Sequence, residues 1–91
     1  MSYKIAFTPQ ASEDFESWKR ASPKTAEKIN GMLRELREHP FAGTGKPEPL
    51  KCHFAGAWSR RINHKDRLIY QVNEEIITVI VLAMRIHYKD K

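Results

Sequence analysis

The sequence predicts an α+β domain in which an N-terminal strand and a two-helix antiparallel hairpin pack on a mainly antiparallel sheet. Two features support this fold class. Apolar residues recur at helical spacing in the first half of the chain, and three runs rich in β-branched and aromatic residues fill the second half. A chain of 91 residues suffices for one modest core, so residues 1–91 are expected to form one domain.

The N-terminal half carries the signals of one strand and two helices. Residues 3–7 alternate weakly between apolar and other side chains and predict a short strand. Thr8-Pro9 and Ser22-Pro23 each combine a helix-capping residue with a proline suited to the first helical position. The second helix should end near His39, just before a proline. The apolar stripes are Ala11, Phe15 and Trp18 in the first helix and Ala26, Ile29, Leu33 and Leu36 in the second.

A loop and three strands are expected in the C-terminal half. The segment from Phe41 to Pro49 contains two glycines and two prolines, so it can be neither a helix nor a central strand and should be an exposed loop. Beyond it, residues 57–63, 67–72 and 76–88 predict three strands separated by short polar turns. These strands should form an antiparallel meander.

The composition excludes several classes of protein. Hydrophobic residues make up 41% and charged residues 30% of the chain, as in ordinary soluble globular proteins. The longest apolar run is too short for a bilayer and no signal pattern begins the chain, so a cytoplasmic location is expected. Cys52 is the only cysteine, and the histidines show no ligand spacing around it. We therefore expect no disulfide, metal or cofactor.

The positive charge is concentrated toward the C-terminus. The formal net charge is +5, and residues 46–91 hold nine basic and five acidic residues, so 9 − 5 = +4 of it lies there. Such an excess favours a polyanionic partner, because each phosphate that is neutralised releases counterions. An ordinary solvated basic surface has the same composition, so charge alone assigns no function.

Alternation of side chains along the predicted strands indicates which cations converge. If residues 64–66 form a three-residue turn, Asn63 lies opposite Arg67, and Arg61 shares the face of Arg67. The planar guanidinium can donate two parallel hydrogen bonds to a phosphate, a geometry that lysine cannot reproduce. The two arginines are therefore candidates for bracing a phosphate.

The last turn leaves two registers open. A three-residue turn would pair Val72 with Ile76 and place Arg85 and His87 on the face of the two arginines. A two-residue turn would instead pair Asn73 with Ile76 and send His87 to the opposite face. The sequence does not choose between them.

Cleavage of RNA by its own 2′-hydroxyl needs a base, cations around the phosphate and an acid for the leaving oxygen. Glu48, held between two prolines, is a candidate base on a stiff segment, although a solvated glutamate in a turn is the simpler local interpretation. His87 is a candidate acid because histidine titrates near neutral pH. A histidine of the last strand without any such duty is the simpler alternative.

Other polar and aromatic residues admit two interpretations. Lys51 could add a point charge near the phosphate, and Tyr88 could stack on a base, but each also fits an ordinary surface position. Trp58 and Tyr70 alternate with apolar residues of the predicted strands. We therefore predict a core or dimer role for these two rings.

Four short motifs occur in order along the second half of the chain. They are PFAGTGKPEPLK at 40–51, GAWSRRI at 56–62, RLIY at 67–70 and HY at 87–88. With these motifs the chain closely resembles the YoeB (Txe) toxins of the RelE superfamily. Relatives similar to RelE itself generally lack the glutamate and histidine pair, so its presence favours the YoeB branch.

The resemblance implies a toxin of a toxin–antitoxin pair with a microbial-ribonuclease-like fold. It implies a metal-independent endoribonuclease that cleaves mRNA in the ribosomal A site and so inhibits translation, leaving a 2′,3′-cyclic phosphate and a 5′-hydroxyl. Glu48 would be the general base, His87 the general acid and Arg67 the main stabiliser of the phosphate. The residues that would assist in binding substrate are Lys51, Arg61 and Tyr88. The implied partners are a YefM-like antitoxin, the ribosome with its mRNA, and a second copy of the chain.

Two other classes of function fit some of the same sequence features. A basic RNA- or ribosome-binding module without catalysis would share the charge and the aromatic residues. A structural partner for an acidic antitoxin would share the basic face, and this role is compatible with catalysis. The candidate acid and base distinguish the enzyme from both.

Overall fold

The computed structural model describes residues 2–51 and 54–86 as a five-stranded sheet with two helices packed on it. The elements are β1 (Lys4–Phe7), α1 (Pro9–Ala21), α2 (Pro23–Glu38), β2 (Glu48–Pro49), β3 (Trp58–Arg61), β4 (Arg67–Asn73) and β5 (Thr78–Ile86). The strand order is β1-β5-β4-β3-β2, with β1 parallel to β5 and every other pairing antiparallel. The predicted α+β class is confirmed.

Both helices begin where the capping signals predicted. The Thr8 hydroxyl accepts a hydrogen bond from the Ala11 N–H at 3.1 Å, and the Ser22 hydroxyl accepts one from the Thr25 N–H at 3.3 Å. The second helix ends at the predicted position, with His39 as its C-cap. In the described part of the chain, neither helix has the length and apolar character needed to cross a membrane.

The main core lies between the helices and one face of the sheet. Every residue of the two predicted apolar stripes is part of it or packs against it. The sheet and the residues that flank its strands contribute Ile62, Leu68, Tyr70, Val79, Val81 and Met84. Because neighbouring strand residues point to opposite faces, the residues between these belong to the other side of the sheet, here called the open face. A smaller apolar cluster of Leu50, Ala57 and Ile69 lies there.

The pairing of β4 with β5 is irregular beside Met84. The register passes from Tyr70 opposite Val81 through Ile69 opposite Ala83 to Arg67 opposite Ile86, which leaves two extra residues on β5. The backbone of Met84 bonds to α1 instead, through the two side chains of Asp14 and Trp18. Its N–H donates to Asp14 Oδ2 at 3.0 Å, and its carbonyl accepts from Trp18 Nε1 at 2.8 Å. This contact, here called the α1 clamp, fixes the end of β5 against the helix.

The connection between β3 and β4 is longer than predicted. It spans residues 62–66, because Arg61 rather than Asn63 lies opposite Arg67. Asn63 shapes the loop instead, with its Oδ1 accepting backbone N–H bonds from residues 65–66. The error is two residues, so the face is unchanged, and the prediction that Arg61 and Arg67 share it is confirmed.

Neither predicted register of the last turn forms. Asn73 pairs with Thr78, and Val72 pairs with Val79 rather than Ile76. The Asn73 side chain accepts hydrogen bonds from two N–H groups of the turn, and Ile77 adopts a left-handed φ of 47°. Local turn chemistry therefore overrides the strand preference of the isoleucines.

The predicted exposed loop ends in a strand. Its last two residues, Glu48 and Pro49, form the edge strand β2, with Glu48 paired to Ser59 and Pro49 to Trp58. An edge strand tolerates proline because one side of its backbone has no partner. The loop prediction was wrong only for these two residues.

Candidate functional site

A polar surface forms on the open face where β2, β3 and β4 meet. Glu48 is paired with Ser59, and Arg61, two residues further along β3, is paired with Arg67. Paired residues and residues two apart share a face, so Glu48, Arg61 and Arg67 all belong to the open face. The usual strand spacing and rise place the Cα atoms of Glu48 and Arg67 roughly 12 Å apart. That separation leaves room for a phosphodiester between their side chains.

Glu48 occupies a stiff position on this surface. It lies between two prolines and is half-buried. The two residues that precede Pro47 both have left-handed φ angles, 89° at Gly45 and 51° at Lys46. Within residues 2–51 and 54–86, no hydrogen bond or ion pair engages the Glu48 carboxylate. No described residue therefore competes for the carboxylate oxygens.

Arg67 has an unsatisfied donor. Its side chain is half-buried, and its Nη1 is shielded from solvent without a hydrogen-bond partner among the described residues. A buried donor left unpaired costs about 1–3 kcal/mol, so an anionic oxygen at this position would be favourable. Arg61, opposite it, is exposed and extends the positive charge toward solvent.

The remaining predicted site residues fall into two groups. Lys51 follows the buried Leu50 at the end of β2 and is exposed, and among the described residues no ion pair joins it to Glu48. His87 and Tyr88 lie outside the described residues. Ile86, which directly precedes His87 in the chain, is paired with Arg67.

The predicted placement of Arg85 beside the other two arginines is wrong. Its Nη1 donates to the Ser17 hydroxyl at 2.9 Å, and its guanidinium lies 4.3 Å from the centre of the Trp18 ring. Both partners belong to α1. The register of the last turn is the physical reason: Val72 is opposite Val79 rather than Ile76, and this shift by three residues, an odd number, exchanges the two faces of β5.

No sequence motif assigned a role to Arg60, which lies on the helix side of β3 beneath the polar surface. Arg60 is completely buried. It alternates with Trp58, which packs against the main core, and with the buried Ile62. This alternation could have identified it as a buried arginine in need of partners. Tyr70, predicted as a core or dimer residue, is a core residue.

The groups around Arg60 have shifted pKa values. Hydrogen bonds from Thr44, and then those from Arg60, hold the pKa of Glu35 below its ordinary value. Burial raises the pKa of Tyr70, although Arg60 opposes the rise. Glu35 therefore stays ionised beside the buried guanidinium and neutralises its charge.

The cavity on the helix side of the described chain lacks this chemistry. A cavity of about 410 Å³ lies between α1, α2 and β1, lined mainly by Ile5, Phe7, Phe15 and Leu33 with Arg34 and Arg37. It has neither a carboxylate nor a histidine in its lining, so it offers no acid or base. Residues 2–51 and 54–86 contain no group of three or more histidine, cysteine, aspartate or glutamate side chains that could hold a metal ion.

Comparison with known proteins agrees with the fold. The family model of the YoeB-like toxin of bacterial type II toxin–antitoxin systems matches residues 7–88. Toxin YoeB of Mycobacterium bovis is 43% identical over 84 residues, covering 92% of this chain and 96% of the relative. Toxin YoeB of Escherichia coli K12 is 36% identical over 85 residues, covering 93% of this chain and 99% of the relative.

Solved structures give the same result. The YoeB/ParE toxin from Agrobacterium tumefaciens superposes with a TM-score of 0.87 at 42% identity, covering 93% of this chain and 99% of that one. The YoeB dimer from Staphylococcus aureus superposes with a TM-score of 0.83 at 37% identity, covering 97% and 100%. A YoeB–YefM complex from the same organism matches with a TM-score of 0.81 at 37% identity and the same coverage. The chain therefore belongs to the YoeB-like toxins of bacterial type II toxin–antitoxin systems.

Proposed function

We propose that this toxin cleaves mRNA on the ribosome by attack of a 2′-hydroxyl on the adjacent phosphate. The products would be a 2′,3′-cyclic phosphate and a 5′-hydroxyl. The polar surface of the open face supports this most directly, since it carries the Glu48 carboxylate and the Arg67 Nη1, neither of which has a partner among residues 2–51 and 54–86. They supply the base and the cation that internal cleavage of RNA requires, and no metal has a part in the proposal.

Base and cation act on the same phosphate in this mechanism. Glu48 takes the proton of the 2′-hydroxyl as the oxygen attacks phosphorus. Arg67 donates to the non-bridging oxygens, on which charge builds up as the phosphorus becomes five-coordinate. Its half-buried position strengthens that interaction, because a lower local dielectric screens charges less than water does. Arg61 and Lys51 bind flanking phosphates from the exposed rim.

An acid is needed at the opposite end of the scissile bond. We assign this role to His87, whose imidazolium gives a proton to the departing 5′-oxygen. His87 directly follows Ile86, whose backbone is paired with Arg67. The proposed role therefore places the acid one residue along the chain from the partner of Arg67. Tyr88 follows directly and would stack on or orient a nucleotide.

The proposed protein partners come from the solved relatives. A YoeB–YefM complex and a YoeB dimer are both known from Staphylococcus aureus. We extend these assemblies to this chain, so that a YefM-like antitoxin inhibits it and two copies form a homodimer. The net charge of +5 suits both an acidic antitoxin and RNA, which can occupy the basic face in turn.

The test is cleavage of mRNA by purified toxin and ribosomes, with the ends of the fragments analysed chemically. Removal of a general acid or base should lower kcat by about 10²–10⁴-fold, so this is the loss expected for Glu48→Ala and for His87→Ala. Glu38→Ala and His64→Ala change exposed residues of the same types and should cleave at the wild-type rate. Full activity in both site variants would refute the assigned roles.

A binding module without catalysis is the second candidate, favoured by the same basic surface. It predicts that a Glu48→Ala/His87→Ala double variant still binds ribosomes and still arrests growth. The enzyme predicts binding without arrest. Loss of arrest with ribosome binding intact would therefore reject the binding module.

A further inference from the structure

The guanidinium of Arg60 is completely buried, yet every one of its hydrogen-bond donors is satisfied. Arginine carries five N–H groups, and five hydrogen bonds leave this side chain. The acceptors are Glu35 Oε1, the carbonyl oxygens of His39, Ala42 and Thr44, and the Tyr70 hydroxyl. A planar group with so many fixed partners holds them in one arrangement.

Most of these acceptors belong to the segment that joins α2 to β2. The segment is tied a second time through Glu35, whose carboxylate accepts from the Thr44 N–H at 2.8 Å and from the Thr44 hydroxyl at 2.7 Å. It is tied a third time by the Tyr70 hydroxyl, which donates to the Pro40 carbonyl at 2.6 Å. Arg60, Glu35 and Tyr70 together fix residues 39–44; we call them the Arg60 cluster.

The strand that carries Glu48 has little ladder of its own, although the adjoining Leu50 is buried and its N–H donates to the Ala57 carbonyl. It has only two residues, and a pair of residues makes too little ladder to fix a strand. Three residues connect Thr44 to Glu48, and each is restrained in its own way. The Gly45 carbonyl accepts a hydrogen bond from the Arg61 N–H at 2.7 Å, Lys46 has a left-handed φ of 51°, and the ring of Pro47 fixes its φ. A displacement of Thr44 would therefore pass along a stiff connection to Glu48.

We propose that Arg60 is a positioning residue for Glu48, holding it at the polar surface through the 39–44 segment. The inference rests on the proposed function, in which Glu48 is the base. Arg60 itself lies on the helix side of the sheet and touches no substrate. Burying a charged pair contributes little stability compared with an apolar residue of similar size, which agrees with a role in geometry rather than in core stability.

The test is a double-mutant cycle between Arg60→Met and Glu48→Ala, read in the ribosome-dependent cleavage assay. Methionine keeps the length of the side chain but supplies none of the five donors. A displacement of about 1 Å at a reacting group can cost 10²-fold, so kcat should fall by about that factor in Arg60→Met with KM nearly unchanged. In the Glu48→Ala background the same substitution should change the rate less than about twofold, because its target is already absent.

Two companion variants separate positioning from loss of stability. Ile29→Val loosens the main core away from the loop and should keep the wild-type kcat in its folded fraction. Arg60→Lys retains the charge and up to three donors, so it should recover part of the rate. Equal rate losses for Arg60→Met in both backgrounds would overturn the inference, and so would an unchanged rate in the wild-type background.

A second measurement does not depend on catalysis. Hydrogen exchange at the Arg61 amide, which donates to Gly45, should accelerate in Arg60→Met and stay slow in Ile29→Val. If Glu48→Ala proves fully active, the proposed function fails while this exchange result still decides whether Arg60 holds the segment. If Arg60→Met does not fold, Glu35→Ala tests the same cluster from a partly exposed position, and unchanged exchange there would overturn the inference.

Discussion

Replacing Asp14 with alanine removes the acceptor that the α1 clamp offers to the Met84 N–H. Asp14 is 8% exposed, so water does not readily replace the lost partner. A hydrogen bond to a charged group contributes about 1.5–3 kcal/mol. Alanine returns up to roughly 0.7 kcal/mol through its higher helix propensity. The net loss in the free energy of unfolding is therefore about 1–2 kcal/mol.

Thermal unfolding followed by circular dichroism measures this loss. At about 2.1 cal/mol/K per residue, the 91 residues unfold with an entropy of about 0.19 kcal/mol/K. The melting temperature of Asp14→Ala should consequently fall by about 5–10 °C. Asp14→Asn keeps an oxygen that can accept from Met84 and should lose less than half as much. An unchanged melting temperature in Asp14→Ala, or a larger loss in the asparagine variant, would show that the clamp is not what stabilises this end of β5.

Three further outcomes are expected. Gly45→Ala should destabilise the protein and reduce cleavage more than Gly56→Ala does. Both glycines have a left-handed φ, but only at Gly45 would the new Cβ meet backbone atoms, 2.9 Å from the Arg61 carbonyl oxygen. The pKa of Glu35 is lowered in the folded state, so its ionised carboxylate stabilises the fold above the ordinary pKa of 4.5. This stabilisation is lost as the pH falls through the lowered folded-state pKa. Glu35→Gln should therefore flatten the acid side of a plot of unfolding free energy against pH. Arg61→Gln should reduce the slope of log affinity for single-stranded RNA against log salt by about 0.7, the contribution of one phosphate contact, and an unchanged slope would remove Arg61 from the RNA-binding surface.

Local signals account for the parts of the fold that the sequence predicted well. Thr8-Pro9 and Ser22-Pro23 specify helix starts through contacts with residues three positions away, so the chain around them contains the whole explanation. The irregular pairing of β5 beside Met84 behaves differently. It depends on the backbone of Met84 bonding to Asp14 and Trp18, about seventy residues earlier, and no local pattern encodes that contact.

The same distinction applies to the candidate site. Arg61 and Arg67 were predicted on one face because an error of two residues preserves the alternation. Arg60 was missed because most of its partners are backbone carbonyls, which any residue type supplies. The roles of His87 and Tyr88, which lie outside the described residues, stay predictions.

The two prolines beside Glu48 also determine how the sheet can grow. The Leu50 N–H donates to the Ala57 carbonyl, so the alternation of an antiparallel pair turns the Pro49 nitrogen outward, away from β3. Neither Pro49 nor Pro47 has a backbone N–H to donate, so at these two residues the outer side of β2 offers carbonyl acceptors and no donors. Another polypeptide strand cannot form a regular hydrogen-bonded ladder with this edge, so the edge is protected against strand-to-strand self-association. A molecule that binds at Glu48 must therefore approach the open face of the sheet rather than add a strand to its edge.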